Sequence, residues 1–246
     1  MYYTSIKSYD GFGAQFQRII QTYIFCKIHK LSFLYRPFEF IEHNYNSDSD
    51  FVNKIEAFIN LKNNIVNINN NNDVNIIDYG SVVMKYCETN MDIICESEHL
   101  EFIKKCFWEH KDRNVFNNNN NININIAVHI RRENTSDKGV AGDRATTPNS
   151  YYLNIMNIIR EKYQTRKLQF HIYSQGDIEN FKLLKEKDVI FHLDEDIRKT
   201  FLELVAANIL VTSPSSFSYC AALLSDGEIY YKMFWHNPRK EWINCG

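Results

Sequence analysis

From residue 122 to 130 the chain alternates strictly, with Ile122, Ile124, Ile126, Val128 and Ile130 at every second position, so these five side chains share one face of a β-strand. The same periodicity, switching between two and about 3.6, runs through the C-terminal half. A strand at 122–131 is followed by a helical stripe of Tyr151, Tyr152, Ile155, Ile158, Ile159 and Tyr163. Strand 168–173, helix 177–186, strand 188–193, helix 196–207, strand 208–212, helix 214–225 and strand 227–231 complete the prediction. Repeated βα units with short connections predict a mainly parallel sheet covered by helices, a Rossmann-like body. The N-terminal half opens in the same way, with strand 2–7, a helix to about residue 30 marked by Phe12, Phe16, Ile19, Ile20, Tyr23 and Ile24, and strand 31–36. Asparagine runs at 69–72 and 117–121 have poor helix and strand propensity and read as loops. The second run divides the chain into an N-terminal domain, 1–116, and a C-terminal domain, 122–246. The fold class is therefore α/β, a Rossmann-like C-terminal body preceded by an N-terminal half that begins in the same way.

Open α/β sheets bind ligands beyond the carboxyl ends of their strands, and three such ends carry chemistry. His129, Ile130, Arg131 and Arg132 close strand 122–131. Arg binds phosphate bidentately with a charge independent of pH, so the pair points to a phosphate-bearing ligand, with a surface ion pair as the competing account. Val211-Thr212-Ser213-Pro214-Ser215-Ser216-Phe217-Ser218 offers hydroxyls beside a helix start primed by Pro214; a simple serine N-cap is the alternative. Asp10-Gly11-Phe12-Gly13-Ala14-Gln15 places two glycines between a strand and a helix, which suits close approach of a ligand or only a tight turn. The arginine and serine elements end strands of one sheet, and together they suggest a diphosphate.

Composition narrows the partners. The 246 residues carry 28 Lys plus Arg against 30 Asp plus Glu, so no global field favours nucleic acid or anionic lipid. No apolar run approaches the ~20 residues needed to span a bilayer, and no secretory leader opens the sequence. Six dispersed cysteines lack zinc-type spacing and read as reduced thiols; the sequon Asn134-Thr135-Ser136 follows the arginines directly, where a glycan would block the site. A cytoplasmic location is the expectation.

His129-Ile130-Arg131-Arg132 resembles the HxRR core of the fucosyltransferase superfamily that includes α1,2-, α1,6- and protein-O-fucosyltransferases. Gly11-Phe12-Gly13-Ala14-Gln15 is similar to that family's glycine-rich turn, and residues 207–218 resemble its late strand and serine turn; the three occur in family order. The resemblance implies a GT-B transferase, two Rossmann-like domains with the N-terminal one reduced, with a nucleotide-sugar donor, GDP-fucose foremost, a glycan or glycoprotein acceptor, and neither a cofactor nor an essential metal. It assigns the donor diphosphate to Arg131 and Arg132, guanine or ribose to His129 and Asp194, and phosphate to Ser213, Ser215, Ser216 and Phe217, with Gly11, Gly13, Gln15 and Arg144 as further donor contacts. Two departures stand out: Asn134 occupies a position where the family often has Asp, and 246 residues is short for the fold, so the acceptor domain is trimmed.

In an inverting transfer the leaving diphosphate gains charge, which Arg131 and Arg132 would stabilise. The proton acceptor for the acceptor hydroxyl would come from the following loop, Asp137 or Asp143 ahead of Glu133. Rival sites are weaker. Asp48-Ser49-Asp50 has metal-site spacing but precedes the helical stripe Phe51, Ile55, Phe58, Ile59 and reads as capping. No HExxH or GxSxG occurs, and Trp108, Trp235 and Trp242 fit packing as well as sugar stacking. Three functions remain open: a GDP-sugar transferase, a transferase using another nucleotide sugar, and a catalytically silent nucleotide- or glycan-binding module.

Overall fold

The computed structural model describes residues 1–44, 47–65, 74–116, 123–132 and 147–246, with Asn123 described by its backbone alone. Two compact units result, Met1–Asp112 and Arg113–Gly246. The expectations for Glu133, Asn134, Asp137, Asp143 and Arg144 lie outside the described residues.

The first unit strings together β1 (Tyr2–Ser5), α1 (Phe12–Ile28), β2 (Ser32–Phe33), α2 (Phe51–Ile59), β3 (Val74–Ile77), a π-helical stretch Tyr79–Met84, α3 (Lys85–Thr89), α4 (Met91–Cys95) and α5 (Glu98–Trp108). Its parallel sheet has the order β2-β1-β3. The predicted strand 31–36 shrinks to two residues. Beyond it the chain leaves the sheet to wrap a buried carboxylate: Glu56 on α2 accepts from the Tyr35 hydroxyl at 2.8 Å and the Phe38 amide at 2.7 Å.

The second unit contains β4 (Asn123–His129), α6 (Asn149–Lys162), β5 (Lys167–Ser174), β6 (Val189–Leu193), α7 (Ile197–Ala206), β7 (Ile209–Val211), α8 (Ser216–Leu224), β8 (Glu228–Tyr231) and β9 (Ile243–Asn244). Its six strands are all parallel, in the order β6-β5-β4-β7-β8-β9. Counted from β4 this is 3-2-1-4-5-6, the doubly wound order, and the chain reverses its direction of progress between β4 and β7. The predicted helix 177–186 is instead a 3-10 segment, Ile178–Leu184, interrupted at Phe181, whose φ of −117° leaves the helical region while its ring enters the core.

Alternation along β4 sorts the two faces as the sequence pattern dictates. Ile126, Val128 and Ile130 join Phe170 and Ile172 of β5 and Tyr152, Ile155, Met156 and Ile159 of α6 in one buried cluster. Ala127 and His129 point to the opposite face, where α7 packs. At the amino end of the sheet Asn208 ties three strands together: its amide donates to the Asn125 carbonyl, its Oδ1 accepts from the Asn125 amide, and its carbonyl accepts from the Glu228 amide. Gly227 lies against this knot, so close that a Cβ there would stand 2.5 Å from the Ala207 carbonyl oxygen and 2.7 Å from that of Asn208.

Candidate functional site at the sheet switch point

The reversal between β4 and β7 brings their carboxyl ends side by side. His129 ends β4, Ser213 follows β7, and the imidazole Nδ1 and serine Oγ lie 2.8 Å apart. Both are buried, Ser213 completely. Phe217 on α8 covers the imidazole with ring centroids 5.4 Å apart, and Phe201 of α7 supports Phe217 at 5.2 Å. Burial, reinforced by the Arg131 charge, pushes the His129 pKa down to about 3. The imidazole is neutral throughout the physiological range, and the Arg131 guanidinium lies close enough to act on it.

The serine turn is built from its own side chains. The Ser218 hydroxyl accepts from the Ser213 amide at 3.3 Å and donates back to the Ser213 carbonyl at 3.2 Å, while the Ser215 hydroxyl accepts from the Phe217 amide at 3.2 Å and caps α8. Ser216, at the first helical position, has no partner for its amide or hydroxyl among the described residues. A helix N-terminus with an unpaired amide favours an anion. It adjoins the switch point.

Arg132 is placed differently from Arg131. Its Nη1 donates to the carbonyls of Arg131 and Thr147, each at 3.1 Å, its Nη2 donates to Asn149 Oδ1, and its guanidinium lies 5.4 Å from the Phe181 ring centroid. Burial holds its pKa below the usual arginine value. The two arginines therefore part: Arg132 ties the strand end to the start of α6, and its donors are largely occupied by the protein. Asp194, with a left-handed φ of 55°, follows β6, and its carboxylate accepts from the Gly176 amide at 3.2 and 3.3 Å. It stands at the same edge as His129 but two strands away.

In the first unit the glycine turn starts α1 as predicted, yet its surroundings are the chain itself. Gly11 has a φ of −63°, and a Cβ there would come within 2.9 Å of the His43 ring. Gly13 lies inside α1 and is buried. Gln15 is also buried, its Nε2 donating to the Asp10 carbonyl at 2.6 Å and the Phe40 carbonyl at 2.8 Å. A small, open cleft lies beside this turn, lined by Lys7, Arg18, Arg36 and Glu39 among others, with Lys7 paired to Glu39 and Arg18 to Asp10. The Asp48-Ser49-Asp50 element is local scaffolding: Asp48 accepts from the Asp50 amide at 2.9 Å and from Lys54 Nζ at 2.6 Å. The sequence carried no signal for the His129–Ser213 contact, made across 84 positions.

No family model and no curated protein matches this chain. Among solved structures it superposes on a crystal structure of the NodZ α-1,6-fucosyltransferase soaked with GDP-fucose, covering 91% of this chain and 92% of that one at 10% identity and a TM-score of 0.43. A superposition that loose does not define a shared fold. Among the described residues no helix is long and apolar enough to cross a membrane.

Proposed function

We propose that this protein is a glycosyltransferase that moves a sugar, L-fucose from GDP-fucose, to a glycan or protein acceptor by an inverting mechanism without an essential metal or cofactor. One observation carries the reading: the HxRR-like strand end and the serine turn flank the switch point of a 3-2-1-4-5-6 parallel sheet, where nucleotides bind such folds. In the GT-B reading the second unit binds the donor and the first takes the acceptor.

Cleavage of the anomeric C–O bond places negative charge on the diphosphate. In this reading Arg131, whose charge already acts on His129, and the amide end of α8 at Ser216 stabilise that charge as it develops. Arg132 acts through position, holding the strand end against α6. His129 is a poor proton acceptor, since its pKa lies near 3 and its Nδ1 faces Ser213. The base falls to the loop carboxylates, Asp137 or Asp143. Asp194 is left to orient the nucleoside end through the Gly176 turn. All six cysteines are unpaired and five are buried, which supports a cytoplasmic, reducing compartment.

A second reading, nucleotide-sugar binding without transfer, is favoured by the occupied donors of Arg132 and by Asn134 in place of an acid. The test is a melting-temperature screen with GDP, UDP, CDP and their sugars, followed by mass-spectrometric detection of transfer or of released nucleotide. GDP compounds alone raising the midpoint, with GDP released from GDP-fucose, establishes the first reading. Stabilisation without release establishes the second. A shift with none of the nucleotides removes both.

A further inference from the structure

Away from the switch point, the second unit gathers a group of metal-ligating side chains. His192 of β6, Glu195 in the loop that follows and Glu203 of α7 each bring one ligand atom to within 4.8 Å of the others. His171 of β5 stands behind His192, its Nδ1 3.0 Å from His192 Nε2, and the Tyr173 ring stacks on the His192 ring at 4.6 Å. Glu203 is only 7% exposed. Its Oε2 has no partner at hydrogen-bond distance among the described residues, although the Tyr173 hydroxyl is near enough for this carboxylate to raise its pKa; the Nε2 of the buried His171 has none either.

A buried carboxylate with an unmatched oxygen is costly unless positive charge compensates it. Lys199 compensates only in part: its Nζ lies 2.6 Å from Glu195 Oε2 but 4.0 Å from Glu203 Oε1, and its side chain is 52% exposed. Such a side chain can turn out to water and yield the position to a denser charge. His192 Nδ1, 3.0 Å from Glu195 Oε1, carries a proton in the present arrangement because a carboxylate only accepts. A metal ion at Nδ1 displaces that proton. His192 then holds its single proton on Nε2, taken over from His171 Nδ1, while the displaced proton passes to His171 Nε2, so both rings stay neutral and His192 Nε2–H donates to His171 Nδ1, the outer hydrogen bond that metal-bound imidazoles make.

We infer that His192, Glu195 and Glu203 form a zinc site that clamps helix α7 to strand β6. One imidazole nitrogen and two carboxylates suit zinc, whereas magnesium and calcium take oxygen alone. Two carboxylates also balance the divalent charge. The ligand atoms must draw together to about 3.4 Å, the separation that zinc–ligand bonds of about 2.0–2.2 Å impose in a tetrahedron; two of the three ligands sit on flexible glutamate side chains. Tyr173 pairs in register with both His129 and His192, so the site lies two strands, on the order of 10 Å, from the switch point. Zinc there would be structural and would leave the sugar-transfer chemistry metal-independent.

The experiment uses the whole chain, stripped with chelator, titrated with zinc chloride by calorimetry and with Co²⁺ by visible absorption. We expect one equivalent bound, a higher melting temperature, and a cobalt d–d spectrum without sulfur charge transfer. Glu203→Gln should weaken binding at least tenfold, and Lys199→Ala should strengthen it several-fold by removing the competing cation. Lys199 is a surface residue, so that variant remains informative if Glu203→Gln does not fold. No stoichiometric binding by the parent, an intense near-ultraviolet cobalt–thiolate band, unchanged affinity in Glu203→Gln, or weaker or unchanged affinity in Lys199→Ala would each overturn the site.

Discussion

Two strand-to-helix turns of this molecule look alike in sequence and differ in what fills them. At the start of α1 the space before the helix is taken by the chain itself, with the His43 ring against Gly11 and the Gln15 amide clasping two carbonyls. At the start of α8 the serine hydroxyls organise the turn from within, while among the described residues the Ser216 amide has no partner and Ser213 meets His129. Small residues before a helix are thus compatible with packing or with ligand binding. Position in the sheet does not distinguish them, because β1 also stands where its strand order reverses, between β2 and β3. What fills the turn does, together with the arginine-bearing strand that only the serine turn has beside it.

The sharpest way to break this comparison is Arg131→Ala. Loss of that charge should lower turnover by a factor on the order of 10²–10³, measured on a variant shown by urea unfolding to be folded. Near-normal transfer by a folded variant would deny the switch point its role.

Next in size is the response to acid. The folded pKa of His129 is near 3 against an ordinary 6.5, so the unfolded chain takes up the proton first. The stabilisation is complete above pH 6.5 and is lost as pH falls toward 3, amounting to about 3 kcal/mol by pH 4. His129→Asn should flatten that acid limb in pH-dependent unfolding. Glu56 in the first unit has the opposite sign: burial, only partly offset by the Phe38 amide and the Tyr35 hydroxyl, raises its pKa. Its contribution is lost as pH rises through the raised value, and Glu56→Gln should remove that loss. An acid limb unchanged in His129→Asn would place the coupling elsewhere.

Arg132→Ala should cost about 2 kcal/mol of stability by leaving the buried Thr147 carbonyl without its donor. An unfolding midpoint unchanged in Arg132→Ala would deny Arg132 its structural role. The smallest effect belongs to Gly11→Ala. Its φ is ordinary and only the His43 ring must give way, so a loss of about 1 kcal/mol is expected, with nucleotide-induced stabilisation unchanged. A lost nucleotide response would return the glycine turn to the binding site.

Much of the second unit was legible because its strands obey one rule: alternate residues of β4 meet different layers, and Ile126, Val128 and Ile130 proclaim it. The first unit was read less well. β3 is short and follows an asparagine run, and β2 ends where Tyr35 and Phe38 turn to Glu56, a tertiary preference that no local pattern encodes. Helix α5 left a signal that went unread, an Asx/Ser-type cap at Ser97 accepting from the Leu100 amide, acidic residues in the first turn, and Leu100, Ile103 and Phe107 on one face. In the candidate site, the rim positions of His129, Arg131 and Ser213 followed from strand ends. The separation of Arg132 from Arg131 did not, because it depends on carbonyls at Thr147 and Arg131 offered by the fold. The cluster of His171, His192, Glu195 and Glu203 draws on two strands, a loop and a helix, and only the His171–Tyr173 alternation within β5 hinted at it.

Gly227 makes the amino edge of the sheet a determinant of the opposite edge. With carbonyl oxygens 2.5 and 2.7 Å from where a methyl would stand, even alanine must lever β8 away from β7. The Thr212 hydroxyl, which accepts from the Lys232 amide at 2.9 Å, would then lose its hold on the strand beside it, loosening the footing of the serine turn. Mutational intolerance at position 227 would thus be transmitted along the length of two strands, and any directed-evolution library aimed at donor preference does best to leave that position alone.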